Sequence, residues 1–201
     1  SGNGKDATQA TAGSQPKIVD GGSLVTSSGL ASIKFDGTDD TLIADSVASV
    51  FSGTDKIWSH FSVTEFNSSA VIAASLGNSS TSSQFIYSGL ISSKYRFYVR
   101  ESFSSESIIN SGTLSLNTPY LNHSTTNGAT QAQFVNSNAA GTNSLDTGAM
   151  TFNQFTLGAF RITTTSTFMD GSISEFIIHN TDQSSNRTAI ESNINSHYSI
   201  F

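Results

Sequence analysis

The residues best suited to chemistry lie on one short run, Lys94-Tyr95-Arg96-Phe97-Tyr98-Val99-Arg100-Glu101. Tyr95, Phe97 and Val99 alternate with Arg96, Tyr98 and Arg100. An extended backbone therefore puts the apolar set on one face and two guanidinium groups around a phenol on the other. Planar forked donors suit carboxylate or sulfate, and an aromatic ring suits the face of a sugar. Arg96, Tyr98 and Arg100 are thus candidates to bind a glycan, above all an acidic or sulfated one. Trp58 and His60 share a face of a second extended run, and Tyr120 stands with His123 on a third. Trp58, His60 and Tyr120 join the candidate set. The competing reading buries Trp58 in the core and pairs the arginines with Glu65 or Glu101 across strands.

Carboxylates suggest a second kind of site. Asp36, Asp39 and Asp40 crowd one turn, and Asp170-Gly171 forms another. Hard oxygen ligands on loops are what calcium takes, so these four residues are the expected ligands of one structural Ca2+. The plainer alternative is that Asp is favoured in glycine-containing turns. The four histidines, His60, His123, His179 and His197, fall on separate elements and do not suggest a transition-metal site. No Gly-x-Ser-x-Gly elbow and no His-Glu-x-x-His pattern occurs.

These residues sit on many short extended segments. Period-2 alternation and β-branched or aromatic content predict strands at 17–20, 23–26, 31–35, 41–44, 57–66, 70–76, 84–88, 94–101, 107–110, 120–126, 129–135, 154–161 and 172–180. Clusters of Ser, Asn and Gly separate them, and Asn127-Gly128 signals a two-residue hairpin. Residues 47–51 read as a helical turn. One helix is expected near the C-terminus, where Ile190, Ile194, Tyr198 and Phe201 recur every three or four residues. Asp182 or Ser184 can cap it, Thr188 and Glu191 stand at capping-box spacing, and it is expected on the sandwich edge.

Two segments carry a family resemblance. Phe35-Asp36-Gly37-Thr-Asp39-Asp40 resembles the F-D-G-x-x-D motif of concanavalin A-like lectin/glucanase domains, in the laminin-G-like jelly-roll branch borne by phage virion proteins. Phe155-Thr-Leu-Gly158-Ala-Phe160, followed by Phe168-Met-Asp170-Gly171-Ser-Ile173-Ser-Glu175, resembles the closing hairpin of the same family. The resemblance spans nearly the whole chain. It implies an all-β, two-sheet antiparallel jelly-roll sandwich with one C-terminal helix, forming a single domain over 1–201. It also implies that a calcium is common and that hydrolases occur among relatives. The laminarinase-like branch carries its acids as E-x-D-x-x-E. Here Glu101-Ser-Phe103-Ser-Ser-Glu106 has Phe103 at the central position, in a serine-rich turn. A retaining hydrolase needs two carboxyls about 5 Å apart, and this segment does not supply the pattern. The domain is expected not to be an enzyme.

Composition narrows the remaining classes. Only 12% of the 201 residues are charged and the net charge is −6, with 9 basic residues scattered along the chain. Nucleic-acid binding, which needs clustered Lys and Arg, is not expected. No apolar run approaches the roughly 20 residues of a membrane helix, so no membrane insertion is expected. Cysteine is absent, which removes disulfides and thiolate chemistry. The start, Ser1-Gly2-Asn3-Gly4-Lys5-Asp6-Ala7-Thr8-Gln9, resembles the tail of a longer D-Q-S-G-N-G-x-x-A-T-Q motif, so a fragment of a larger polypeptide is expected. The combined expectation is a lectin-like recognition domain at a virion surface or outside a cell, binding host-surface glycans. The alternative is a structural or decoration module contacting other virion subunits or forming a homo-oligomer.

Overall fold

The structure, a computed structural model, describes residues 4–201; the first three residues of the N-terminal motif lie outside it. Twelve strands build two six-stranded antiparallel sheets. They are β1 (Ile33–Asp36), β2 (Leu42–Ile43), β3 (Trp58–Phe66), β4 (Val71–Asn78), β5 (Thr81–Ile91) and β6 (Lys94–Ser102). Then follow β7 (Ser105–Thr113), β8 (Pro119–Thr126), β9 (Thr130–Val135), β10 (Asn138–Ser144), β11 (Gln154–Leu157) and β12 (Asp170–His179). The first sheet runs β7-β6-β5-β4-β11-β2 and the second β10-β9-β8-β3-β12-β1. Their inner faces enclose Phe35, Trp58, Phe66, Leu76, Leu90, Tyr95, Phe97 and Phe155. This is the expected jelly-roll-like sandwich, with helix α1 (Asp45–Ala48) on a connection and helix α2 (Arg187–Tyr198) near the C-terminus.

The two motifs that carry the family resemblance are neighbours in space. Asp170 pairs with Asp36 and Gly171 with Phe35, so the opening and closing strands lie side by side. Asp36 Oδ1 accepts from the amides of Thr38 and Asp39, which closes the turn that Gly37 enters at φ 78°. Phe35 is fully buried, and its ring comes so close to Gly158 that a Cβ there would sit 2.3 Å from it. Gly158 also adopts φ 87°, so glycine is required twice over at that position.

Several elements differ from expectation. Strand β10 has no counterpart among the expected strands: its sequence, Asn-Ala-Ala-Gly-Thr-Asn-Ser, has no large apolar residue to bury at the sheet edge. The expected strand 154–161 is broken at Gly158, and Phe160–Arg161 pairs instead with Thr165–Ser166. Asn127 does open a hairpin, but the link covers residues 127–129, and the Asn127 carboxamide accepts from the amides of Ala129 and Thr130. Helix α2 begins at Asn186 without a side-chain cap. Glu191 turns inward to accept from Ser137 and Arg187 rather than completing a capping box.

That helix also lies elsewhere than expected. Ile190 and Ile194 pack on Phe61, Val63, Leu121 and Ile177, which come from the central strands β3, β8 and β12. The Tyr198 hydroxyl donates to the Ser174 carbonyl at 3.0 Å. The helix therefore covers the outer face of the second sheet, because that face carries apolar residues at alternate positions. Among the described residues no helix is long and apolar enough to cross a membrane.

Candidate functional site

With helix α2 packed on the second sheet, the outer face of the first sheet carries an apolar-lined groove. The alternation of β6 puts Tyr95, Phe97 and Val99 in the core and turns Arg96, Tyr98 and Arg100 outward, as the sequence suggests. Register then aligns Phe85 with Arg100 and Tyr87 with Tyr98. Phe85, Tyr87, Tyr98 and Ile72 form one apolar cluster on this face, with Phe160, Ile91 and Ile162 packed against it.

A loop from residues 158–167 supplies one wall. It crosses the sheet over Gly77, where an added Cβ would lie 2.1 Å from the Arg161 carbonyl oxygen. Ser75 Oγ holds it by donating to the Ala159 carbonyl at 2.8 Å. Phe160 thereby stands 5.0 Å from Phe85 and 5.4 Å from Tyr87, edge-on to both. The turn between β6 and β7 supplies the other wall, with Phe103 72% exposed at its tip. Between the walls lies a groove of about 330 Å³, lined by Ile72, Phe85, Tyr87, Tyr98, Arg100 and Phe160 among others.

The polar groups of the groove are already engaged with one another. Arg100 donates to Glu106 Oε2 from Nε at 3.0 Å and from Nη2 at 2.8 Å. The Tyr98 hydroxyl donates to the same oxygen, and Arg100 Nη2 donates to the Tyr98 hydroxyl. The hydrogen bond from Tyr98, and then those from Arg100, hold the Glu106 carboxyl below its ordinary pKa. Burial, and then Glu106, push the Tyr98 phenol up. Arg96 Nε donates to Asn110 Oδ1 at 2.9 Å. The cross-strand partners of the two arginines are therefore Asn110 for Arg96 and Glu106 for Arg100, not Glu65 or Glu101. Glu101, one residue after Arg100, turns to the other side and approaches Gly148. Glu101 and Glu106 do not face each other as a hydrolase pair would.

The remaining candidates do not join this face. Trp58 is 2% exposed and His60 is fully buried between the sheets. The indole N–H donates to His60 Nδ1 at 2.8 Å, so Nε2 carries the proton and faces the Tyr95 hydroxyl at 3.2 Å. Burial lowers the His60 pKa to about 3, which keeps the imidazole neutral. Tyr120 lies half-buried at the core side of the second sheet, and its hydroxyl accepts from the Ser115 amide. Trp58 and His60 are core residues because the interior supplies partners for their polar atoms, while Tyr120 packs its ring against the core and keeps its hydroxyl at the surface.

Three of the four expected calcium ligands come together. Asp36, Asp39 and Asp40 place one carboxylate oxygen each within 4.8 Å of one another, a spacing that ligands 2.3–2.6 Å from one cation can adopt. Asp170 is not in that group; its Oδ1 accepts from Asn67 Nδ2 at 3.2 Å. Asp40 is buried, and burial, with the nearby Asp36 charge, raises its pKa.

Phe85, Tyr87 and Phe160, which line the groove, and Glu106, which holds Arg100 and Tyr98 beside it, are residues whose part at this face the sequence did not reveal. Phe85-Ile86-Tyr87 is a continuous apolar run, so alternation cannot tell its core face from its outer face. Glu106 was visible only as a turn carboxylate, since its pairing with Arg100 depends on the register of β6 and β7.

No protein family and no curated protein matches the sequence. The fold does have solved counterparts. The CBM40 of the Ruminococcus gnavus IT-sialidase, in complex with α2,3-sialyllactose, superposes with a TM-score of 0.64 at 13% identity, over 80% of this chain and 95% of that one. A native heptameric SAP-like pentraxin from Limulus polyphemus gives 0.60 at 12% identity, over 79% of each chain. Domains LG4-5 of the mouse laminin α1 chain give 0.53 at 10% identity, over 67% of this chain and 40% of that one. At such identities the likeness concerns architecture: the chain has the concanavalin A-like jelly-roll fold.

Proposed function

We propose that this chain is a non-catalytic, lectin-like domain that binds host-surface glycans in the groove on the outer face of the first sheet. The observation that carries the proposal is the aromatic-lined groove itself. Helix α2 packs on the equivalent face of the second sheet, whereas Phe85, Tyr87, Tyr98 and Phe160, packed against one another, line a cleft with an arginine at its rim. A fold shared with a carbohydrate-binding module bound to sialyllactose supports the same reading. A place on a virion or another outer surface belongs to the proposal, as the setting in which such glycans are met.

A glycan array probed with the purified domain tests this. Wild type should give reproducible hits that vanish in a Tyr87→Ala/Phe160→Ala variant whose circular dichroism matches wild type. Hits that persist in a folded variant, or an array blank for wild type, would count against it. A structural calcium held by Asp36, Asp39 and Asp40 is proposed beside it, on the donor set alone.

A further inference from the structure

We infer that the groove selects a sugar bearing an acetamido group: the N-acetyl methyl lies among the apolar side chains and the amide meets Arg100 and Glu106 at the rim. This rests on the glycan-binding proposal and names the class of sugar for the same site. Three features lead to it.

The first is shape. An extended stacking platform requires a ring lying flat and open, yet Phe85 is 4% exposed, Tyr87 9% and Tyr98 8%. Phe85 and Tyr87 lie nearly parallel at 16°, and the other rings meet them edge to face: Phe85 with Tyr98 at 76°, Tyr87 with Tyr98 at 66°, and Phe160 with Phe85 at 80°. Such a cluster offers a slot with apolar walls, completed by Ile72, Ile91 and Ile162, rather than a flat surface. A slot of that kind rewards a small apolar group.

The second is charge. Arg100 has a carboxylate bound to two of its nitrogens, and Tyr98 adds its hydroxyl to the same oxygen. A sugar carboxylate or sulfate placed there would face Glu106 at close range without displacing it cheaply. The groove therefore disfavours the acidic glycan that the arginines alone suggest. The third is the pattern of unused polar atoms. Among the described residues, the side-chain bonds to Glu106 converge on Oε2, which leaves Oε1 to accept, and the bonds from Arg100 use Nε and Nη2, which leaves Nη1 to donate. One donor and one acceptor beside an apolar slot match the carbonyl, N–H and methyl of a secondary amide.

Matched glycosides decide the point. The methyl glycosides of N-acetylglucosamine and glucose, and of N-acetylgalactosamine and galactose, differ within each pair only in acetamido against hydroxyl. Calorimetric titration of wild type should show the acetamido member of at least one pair binding roughly tenfold more tightly, an amount that one buried methyl and one hydrogen bond supply. Added salt should leave that affinity unchanged, since no net charge is exchanged. In Glu106→Gln the preference should shrink and binding of a sulfated galactoside should rise, because Arg100 loses its internal anion. Equal binding within both pairs overturns the inference but spares the glycan proposal. So does wild type that binds array glycans yet ignores both acetamido sugars. A wild-type array with no hits overturns both.

Discussion

His60 shows why a residue type suited to chemistry is not always employed in it. Trp58 and His60 share a face of β3, and alternation identifies that much correctly. Which face turns inward depends on the partners: the indole N–H to Nδ1 bond and the Tyr95 hydroxyl let both rings enter the core with their polar atoms bonded. His123 is buried on the other face of the same sheet, stacked 4.2 Å from Phe61 under helix α2. Burial lowers both pKa values to about 3, with Arg187 acting further against His123 and Asp182 in its favour. The unfolded chain binds these protons near pH 6.5 and the folded chain does not. Stability is therefore full above about pH 6.5 and falls as pH drops toward 3. The slope approaches about 2.7 kcal/mol per pH unit for the two groups together. Urea unfolding at neutral pH and at mildly acid pH, above the carboxylate range, should show that loss. A flat profile across this window would mean that the two imidazoles are solvated. Arg96, Tyr98 and Arg100 were legible as a shared outward face from alternation alone. Their chemistry was not, because Glu106 meets Tyr98 and Arg100, and Asn110 meets Arg96, only through the register of β7.

At the scale of elements, the strands that carry large apolar residues at alternate positions were visible in the sequence, and the polar edge strand β10 was not. The C-terminal helix was legible from its apolar spacing, but its destination depended on the outward Phe61, Val63 and Leu121 of two strands far away in the chain. The turn after β1 was legible in both shape and candidate chemistry. It gathers Asp36, Asp39 and Asp40, although the neighbouring Asp170 is engaged by Asn67. If calcium binds there in the folded state alone, mass action adds about 2.7 kcal/mol at a hundredfold excess over its dissociation constant. Thermal melts of chelator-stripped protein should then rise as calcium is returned, and an Asp39→Asn variant should respond less. Identical melts with calcium and with chelator would show that the three carboxylates serve only the turn.

Taken as a whole molecule, the sandwich has two outer faces with different fates. One is sealed by a helix, and its buried apolar residues contribute to stability. The other is crossed by a single loop that leaves a groove over Phe85, Tyr87 and Tyr98. The division could not be read from strand patterns, since both faces carry alternating apolar residues; it follows from where α2 and residues 158–167 come to rest. On the glycan-binding proposal, the grooved face of the first sheet meets the ligand and the helix-covered face does not. The most direct measurement is a two-dimensional amide NMR titration of the wild-type domain with the strongest array ligand. Shifts concentrated at Ile72, Phe85, Tyr87, Tyr98, Arg100 and Phe160, with Leu121 and Ile194 unmoved, are the result predicted. Shifts centred on helix α2 and strands β3 and β8, with the groove silent, would contradict it.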